Sequence, residues 1–382
     1  MAFIPYGRQA ISAEDIDAVI GVLKSDFLTQ GPAVPAFEST VAAHCGAAHA
    51  IAVNSATSAL HLACLALDLG PGDRLWTSPN TFVASANCGR YCGAEVDFVD
   101  IEPATGNLSP QRLADKLQQA DRAGRLPKVL VPVHFSGRSC AMNDIAPLAR
   151  RYGVRIVEDA SHAVGATYAG APVGHCAHAD ITVFSFHAVK IVTTGEGGML
   201  TTRDAGLAER LRRLRSHGIT RDAARMTAPA EGAWYYEQIE LGYNYRLTDI
   251  QAALGTSQMR RLGDFLARRR ELATRYAAVL ADKPLVLPPP SDESAWHLYV
   301  VQVEARRRRD VFDRMRAADI GVNVHYIPVH LQPYYRRLGF NPGDFPAAEA
   351  YYAGALTLPL HAGLADAQHD RVAAALSEAL SR

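Results

Sequence analysis

Short apolar strands alternate with helical segments over roughly the first 200 residues, and this alternation limits the possible folds more than any other feature. Strands that are apolar along their whole length are buried on both faces, so they predict a mostly parallel sheet sandwiched by helices. In such sheets ligands bind at the carboxyl ends of the strands. The residues that follow each strand are therefore the first candidates for a functional site. The predicted strands are 50–55, 74–79, 95–101, 128–137, 154–160, 180–186 and 197–202.

The pattern changes near residue 250. The segment 228–246 has neither helical nor strand periodicity and is predicted to be a long loop. A long helical pattern follows, with an expected break near Gly263. A proline-rich stretch then precedes a strand–helix–strand pattern, which predicts a smaller α+β domain. The expected domains are residues 1–250 and residues 251–382.

Composition and charge exclude several classes of partner. The chain has 39 basic and 39 acidic residues, so no basic surplus indicates binding to nucleic acid. No segment approaches the ~20 apolar residues that cross a bilayer, and the N-terminus lacks the apolar run of a secretory signal. Cys88 and Cys92 are four residues apart, but no second pair of soft ligands follows at metal-binding spacing. We therefore expect a cytoplasmic protein that binds no membrane, nucleic acid or metal.

Lys190 is the cationic side chain in an apolar, glycine-rich stretch, "VFSFHAVKIVTTGEGGML" (183–200). A deprotonated lysine in an apolar pocket is a nucleophile that condenses with aldehydes, whereas a lysine that extends its amine into water is the structural alternative. The run "TTGEGG" lacks the residue order of a nucleotide-binding P-loop. Its glycines are instead expected to allow a tight turn and a close approach of the backbone beside the lysine.

Three other strand ends carry side chains that suit one ligand. Asp159 could pair with a protonated ring nitrogen with His162 nearby, although a buried structural pair is equally consistent. Phe82 could stack on a flat ring or belong to the core. Thr57 and Ser58 begin a helix whose N-terminus could hold a phosphate, or they could simply cap it. Pyridoxal phosphate combines the phosphate, the ring, the ring nitrogen and an aldehyde for the lysine, and a lysine Schiff base with an acidic pyridinium partner is its usual binding pattern.

These motifs give the chain a family resemblance over nearly its whole length. They are "NSATSALHLA", "SPNTFVASAN", "EDASHA", "FSFHAVK", "TTGEGGM", "SHGI", "GYNYRLTDIQAALG" and "HYIPVH". With them, the sequence resembles the DegT/DnrJ/StrS-type sugar aminotransferases, which are pyridoxal phosphate enzymes. The resemblance implies the α/β fold type I of such transferases, with a large sheet domain and a smaller C-terminal domain.

The resemblance also implies roles for individual residues. Lys190 would carry the cofactor and move protons, Asp159 would bind the pyridine nitrogen, and His162 would be a further catalytic residue near the ring. Asn244, in "GYNYR", would reach the phosphate in a partner subunit, which implies a homodimer with shared active sites. The implied cofactor contacts are Thr57, Ser58, Phe82, Asp159, Ser185, Lys190 and Asn244.

The substrates are implied in the same way. L-Glutamate would donate the amino group, with pyridoxamine phosphate as the intermediate cofactor form. The N-terminal segment is most similar to the branch that serves pseudaminic acid biosynthesis, so the acceptor would be C4 of a UDP-linked 4-keto-6-deoxy-N-acetylhexosamine. The candidate substrate contacts are Tyr6, Thr29, His187, Arg215, Tyr326 and His330.

Alternative functions remain open at this point. One is amination of another nucleotide keto-sugar, at C3 or C4. Another is a sugar dehydratase that uses the same cofactor, but such family members carry histidine in place of the lysine, and Lys190 favours transamination. A non-catalytic regulator would need a DNA-binding appendage, for which the chain has neither a basic domain nor a spare segment.

Overall fold

The computed structural model describes residues 2–381 of the chain. The strands are β1 (His49–Val53), β2 (Arg74–Thr77), β3 (Glu95–Phe98), β4 (Val129–Val131), β5 (Arg155–Asp159), β6 (Thr167–Tyr168), β7 (Ala171–Pro172), β8 (Ile181–Ser185), β9 (Gly198–Thr202), β10 (Ile219–Thr220), β11 (Glu237–Gln238), β12 (Leu285–Val286), β13 (Tyr299–Val303) and β14 (Ala355–Leu358). The helices are α1 (Ala13–Leu23), α2 (Ala33–Cys45), α3 (Ala56–Ala66), α4 (Ala84–Tyr91), α5 (Pro110–Arg122), α6 (Met142–Arg151), α7 (Ala205–Leu214), α8 (Asp249–Met259), α9 (Leu262–Val279), α10 (Arg308–Ala317), α11 (Pro333–Arg336), α12 (Pro346–Gly354) and α13 (Asp366–Ser381).

The large sheet has the strand order β1-β9-β8-β5-β4-β2-β3. Strand β9 is antiparallel to both of its neighbours, β1 and β8, and the other neighbouring pairs are parallel. This arrangement confirms the predicted fold class, a mostly parallel sheet within an α/β protein. It also brings the ends of β1, β2, β4, β5 and β8 to one edge of the sheet.

Both faces of the large sheet are covered by helices, as its apolar strands predict. Along β1, Ile51 and Val53 belong to the cluster that includes helix α3, whereas Ala50 and Ala52 belong to the cluster that includes Phe37 of helix α2. All four β1 side chains are buried. Full burial of a large aliphatic side chain stabilises a fold by ~1.5–3 kcal/mol, so removing either helix layer would be costly.

The C-terminal part contains a separate antiparallel sheet with the order β12-β13-β14. Helix α9 spans two clusters: Leu262 packs with the large sheet, and Leu272 packs with the small one. The N-terminal segment also reaches this region, because Ile4 forms a parallel bridge with Ile320 and is buried in the same cluster as Leu272. The division between residues 250 and 251 stays a prediction.

Two local predictions need correction. The strand expected at 128–137 ends at Val131, because Pro132 has no N–H to donate to the ladder and Ser136 turns the chain at a φ of 61°. The helix break expected near Gly263 lies at Arg260–Arg261 instead. Gly263 sits inside α9, where glycine is tolerated at a cost of about 1 kcal/mol relative to alanine.

The predicted loop 228–246 is largely irregular, but it carries β11, which pairs with β10. Within residues 2–381, every helix is too short or too polar to span a bilayer.

Candidate active site

A cavity of about 560 Å³ lies at the carboxyl edge of the large sheet. Residues that follow β1, β2, β4, β5 and β8 contribute to its walls, and residues from the C-terminal part and from the N-terminal segment complete it. Predicted site residues that line the cavity are Tyr6, Thr57, Phe82, Asp159, His162, Ser185, His187, Lys190 and Tyr326. The rule that directs ligands to the carboxyl ends of parallel strands therefore led to a cavity that contains most of the predicted site residues.

Lys190 is half-buried in this cavity, in the turn after β8. Burial lowers the pKa of its amine to about 8, and the charge of Asp159 opposes that shift. An amine with this pKa is partly neutral near physiological pH, as a nucleophile has to be. Lys190 is also the single lysine or arginine among the lining residues, within the part of the chain described.

The glycines that follow Lys190 have the backbone role expected of them. Gly195 has a φ of +77°, a left-handed conformation that favours glycine. A Cβ on Gly198 would lie 2.4 Å from the carbonyl oxygen of Ser55, at the start of helix α3. The close approach is therefore between β9 and the N-terminus of α3, where Ser55 lines the same cavity as Lys190.

Asp159 ends β5 and is held by two hydrogen bonds. The Ser85 hydroxyl donates to Oδ2 at 2.6 Å, and the Ser161 backbone N–H donates to Oδ1 at 3.1 Å. The Asp159 side chain is 4% exposed. A carboxylate that is buried and held in this way presents its remaining lone pairs to the cavity in a fixed orientation.

The N-terminus of helix α3 forms the end of the cavity next to β1. Ser55 caps the helix by accepting from the N–H of Ser58, and Thr57 faces the cavity. Ser58 does not line the cavity, and its hydroxyl donates to Asn54 Oδ1 at 2.7 Å. This end of the cavity thus offers Thr57, Ser185 and free helix N–H groups to an anion, and Ser58 supports the cap rather than a ligand.

Aromatic side chains form the opposite walls. Phe82 is 57% exposed although it is large and apolar, and its ring centroid lies 6.4 Å from that of Tyr326. The Tyr326 hydroxyl and His162 Nε2 are 3.1 Å apart. Burial and the charge of Lys190 lower the pKa of His162 well below its ordinary value, so its imidazole is neutral near pH 7.

Sequence reasoning missed several lining residues. His297 lies against His162 with a centroid distance of 4.5 Å, and burial lowers its pKa well below the ordinary value. Burial lowers the pKa of His325 to about 3, and its Nδ1 lies 2.8 Å from the Thr357 hydroxyl. These residues come from the C-terminal part of the chain, so no strand-end pattern marked them. Ser85 is different, because it lies just beyond β2 in the same motif as Phe82, and the strand-end rule could have included it.

Besides Ser58, four predicted residues lie outside the cavity. Arg215 binds Glu38 at 2.5 Å and the carbonyl of Ala52, so its guanidinium is engaged inside the fold. His330 is fully buried and its Nε2 lies 2.9 Å from Glu349. Neither Arg215 nor His330 lines the cavity of this chain, and their contact with the sugar stays a prediction.

The other two are exposed. Thr29 forms a backbone bridge with Thr248, and Asn244 forms one with Ser216. Neither side chain lines this chain's cavity. For Asn244 this position agrees with the expectation that it serves a partner subunit, which stays a prediction.

The cavity's chemistry fits pyridoxal phosphate. Lys190 suits an aldehyde, Asp159 a ring nitrogen, the uncovered Phe82 ring a flat heterocycle, and the N-terminus of α3 a phosphate. In addition, His162 Nδ1 is buried and has no hydrogen-bond partner within residues 2–381, so a polar ligand atom would satisfy it. An α/β sheet whose cavity holds a lysine of lowered pKa together with a fixed carboxylate is the arrangement of a pyridoxal-phosphate-dependent enzyme.

Comparison with known proteins identifies the family within this class. Residues 9–377 match the model of the DegT/DnrJ/EryC1/StrS aminotransferase family, and the chain belongs to that family. It is 42% identical to the spore coat polysaccharide biosynthesis protein SpsC of Bacillus subtilis, over 98% of this chain and 97% of SpsC. It is 36% identical to the UDP-4-amino-4-deoxy-L-arabinose–oxoglutarate aminotransferase of Shewanella sediminis, over 98% of both chains.

Solved structures agree with this assignment. Helicobacter pylori PseC, described as an aminotransferase involved in the biosynthesis of pseudoaminic acid, matches with a TM-score of 0.90 at 30% identity over 99% of both chains. The PLP form of Spr1654 from Streptococcus pneumoniae matches with a TM-score of 0.90 at 29% identity, also over 99% of both chains.

Proposed function

We propose that this sugar aminotransferase moves the amino group of L-glutamate to C4 of a UDP-linked 4-keto-6-deoxy-N-acetylhexosamine, as a step toward pseudaminic acid or a related surface glycan. The observation that carries the proposal is the cavity that contains both Lys190, with its lowered pKa, and the fixed carboxylate of Asp159. Pyridoxal phosphate is the cofactor of this family. When bound, it supplies an electron sink that stabilises negative charge at the substrate carbon.

The residues of the chain have distinct tasks in this proposal. Lys190 Nζ carries the cofactor at rest and, once freed as a neutral amine, takes up and returns the proton of the reacting carbon, a contribution of ~10²–10⁴-fold. Asp159 accepts a hydrogen bond from the ring nitrogen and so keeps the positive charge there. Thr57 and Ser185 hold the phosphate with the N-terminus of α3. Phe82 covers one face of the ring and excludes water from it.

Two similarities support the choice of substrates. The Shewanella relative is named as an oxoglutarate aminotransferase that acts on a UDP-linked 4-amino sugar, and PseC is described as a pseudoaminic acid enzyme. Amination of another nucleotide keto-sugar is the second candidate, because SpsC is described only as a polysaccharide biosynthesis protein. The sugar dehydratase is not favoured, because the dehydratases of the family carry histidine where this chain has Lys190.

The charge of the cavity supports a homodimer with shared sites. Its ligands are anions, a phosphate, a dicarboxylate and a nucleotide diphosphate, yet Lys190 is the single lysine or arginine among the lining residues described. A second copy that brings further hydrogen-bond donors for these anions, such as the amide of the exposed Asn244, would complete the site. We therefore place Asn244 at the phosphate in the partner subunit.

Subunit mixing tests the shared site. We expect Lys190→Ala and Asn244→Ala each to lose most activity in pure form. In a refolded one-to-one mixture, half of the dimers are mixed and each has one intact site, so activity returns to about a quarter of the wild-type value. A mixture that recovers no activity would contradict the placement of Asn244.

The lowered pKa of Lys190 predicts how capture of the cofactor depends on pH. Only the neutral amine attacks an aldehyde, so the rate at which apoenzyme captures pyridoxal phosphate should rise with pH through a midpoint of about 8 and then level off. An ordinary lysine titrates near 10.4. Stopped-flow absorbance, with Lys190→Ala as the blank, measures the midpoint. A midpoint near 10 would show that burial does not lower the pKa of the Lys190 amine.

The substrate assignment is tested by incubating the enzyme with glutamate and UDP-4-keto-6-deoxy-N-acetylhexosamines, followed by mass analysis. The proposal expects an amino sugar and 2-oxoglutarate in equal amounts. An amine formed only from a different nucleotide keto-sugar would favour the second candidate. A dehydrated sugar formed without consumption of glutamate would exclude transamination.

A further inference from the structure

Asp159 is the end of a chain of buried hydroxyl groups that starts in the loop after β2. The Thr81 and Ser85 hydroxyl oxygens are 2.8 Å apart, and Ser85 Oγ lies 2.6 Å from Asp159 Oδ2. The side chains of all three residues are at least 96% buried. Ser85 occupies the first turn of helix α4, so the helix itself carries the group that contacts the carboxylate.

The direction of this chain follows from the chemistry of its members. An ionised carboxylate has no proton to donate, so the Ser85 hydroxyl donates to Asp159. A hydroxyl has one proton, so Ser85 can only accept from Thr81, and Thr81 is the donor to Ser85. A separation of 2.6 Å is typical of a hydrogen bond from a hydroxyl to a charged oxygen. Each link therefore fixes the next, from Thr81 to the carboxylate.

The second contact on Asp159 leaves one orientation for the carboxylate. Oδ1 accepts from the Ser161 N–H at 3.1 Å, and the backbone is held by the N–H of His134, which donates to the Asp159 carbonyl at 3.0 Å. The carboxyl plane is thus fixed at both oxygens and at the main chain. Ser85 is the side-chain member of this set of contacts, so it can be changed by substitution.

We propose that Ser85 is a positioning residue, which acts with Thr81 to hold the Asp159 carboxylate aimed at the ring nitrogen of the cofactor. The inference rests on the proposed role of Asp159. Without Ser85, the carboxylate would lose its strongest donor and could rotate away from the cavity. Binding of the ring nitrogen would weaken, whereas contacts with the phosphate and the ring face would not change.

The test compares two probes on apoenzyme: pyridoxal phosphate, and its analogue in which a C–H group replaces the ring nitrogen. For Ser85→Ala we expect the Kd of pyridoxal phosphate to rise about tenfold, and the Kd of the analogue to change less than twofold. Thr81→Val should show the same selectivity with a smaller effect, about threefold, because Ser85 still donates. Ser85→Thr keeps the hydroxyl and should restore most of the affinity.

Thr77→Val is the matched control. Thr77 has a buried hydroxyl that donates to the Val131 carbonyl at 2.7 Å, on the same strand–helix unit but away from Asp159. The Thr77→Val variant should affect thermal stability as Ser85→Ala does. It should not change the ratio of the affinities for pyridoxal phosphate and its analogue. An equal loss of affinity for both probes in Ser85→Ala would overturn the proposal, because it would indicate a general packing defect.

Asp159→Ala separates this proposal from the proposed function. If Asp159→Ala loses the preference for the ring nitrogen but Ser85→Ala keeps it, only the role of Ser85 is rejected. If Asp159→Ala itself binds the two probes with unchanged relative affinity, the role of Asp159 fails as well. If Ser85→Ala does not fold, the Thr81→Val measurement decides alone. An unchanged ratio of the two affinities in Thr81→Val would then reject the proposed series of hydrogen bonds from Thr81 to Asp159.

Discussion

The Lys190→Ala variant is expected to lose the yellow absorbance of the cofactor-bound enzyme and to turn over at least about 10³-fold more slowly. The loss is large because one side chain has two tasks, a covalent link to the cofactor and proton transfer at the reacting carbon. Alanine keeps only the Cβ of the Lys190 side chain and leaves the cavity open, so cofactor still enters but is not captured. Absorbance spectroscopy after gel filtration and a glutamate-dependent assay measure the two effects.

Lys128→Ala is the matched control for this variant. Lys128 pairs with Asp73 at 2.9 Å, away from the cavity, so its loss should leave colour and turnover unchanged. A Lys190→Ala protein that keeps the yellow band after gel filtration, and loses it only on reduction with borohydride, would place the covalent link at another lysine.

The Asp159→Ala variant should fold but lose most of its turnover, about 10²–10³-fold. A carboxylate fixed beside the ring nitrogen is electrostatic support that needs no reorganisation during the reaction, and removal of one such group has an effect of this size. Thermal unfolding should show a folded protein, because the side chain's partners, Ser85 and Ser161, can bond to water that fills the vacated space.

Glu158→Gln provides the comparison, because it changes the neighbouring acid on the same strand. Glu158 is buried too, but it accepts from the Thr182 hydroxyl at 2.8 Å and lies 3.7 Å from His134 Nε2, outside the cavity lining. It should lower stability and leave turnover near the wild-type value. Near-normal turnover in Asp159→Ala, or an equal loss in both variants, would remove the special role of Asp159.

Local patterns in the sequence predicted the fold and the centre of the site. Strand–helix alternation is a local property, and the rule about carboxyl ends then points to particular positions, among them Lys190 and Asp159. These two residues are 31 apart in the chain, each at or just beyond the end of a parallel strand, and the sheet brings both to one cavity. No side-chain detail was needed for this step.

Contacts between distant parts of the chain could not be predicted in the same way. His297 and His325 reach the cavity because the C-terminal part of the chain contributes to its wall, and although His325 begins the motif "HYIPVH", the motif alone did not show which of its side chains faces the cavity. The pairing of Arg215 could not be predicted either, because its motif suggested a ligand contact, whereas the structure shows that Glu38 binds its guanidinium. A sequence shows that a charge is present, but only the structure shows whether it is already paired.

Peptide mapping of the wild-type enzyme tests the central claim most directly. The enzyme is mixed with pyridoxal phosphate, reduced with borohydride, digested and analysed by mass spectrometry. The chain has five lysines, at 24, 116, 128, 190 and 283, and only the cavity lysine should carry the reduced cofactor at one equivalent per chain. A label on any of the other four in place of Lys190, or no stoichiometric label, would contradict the site described above.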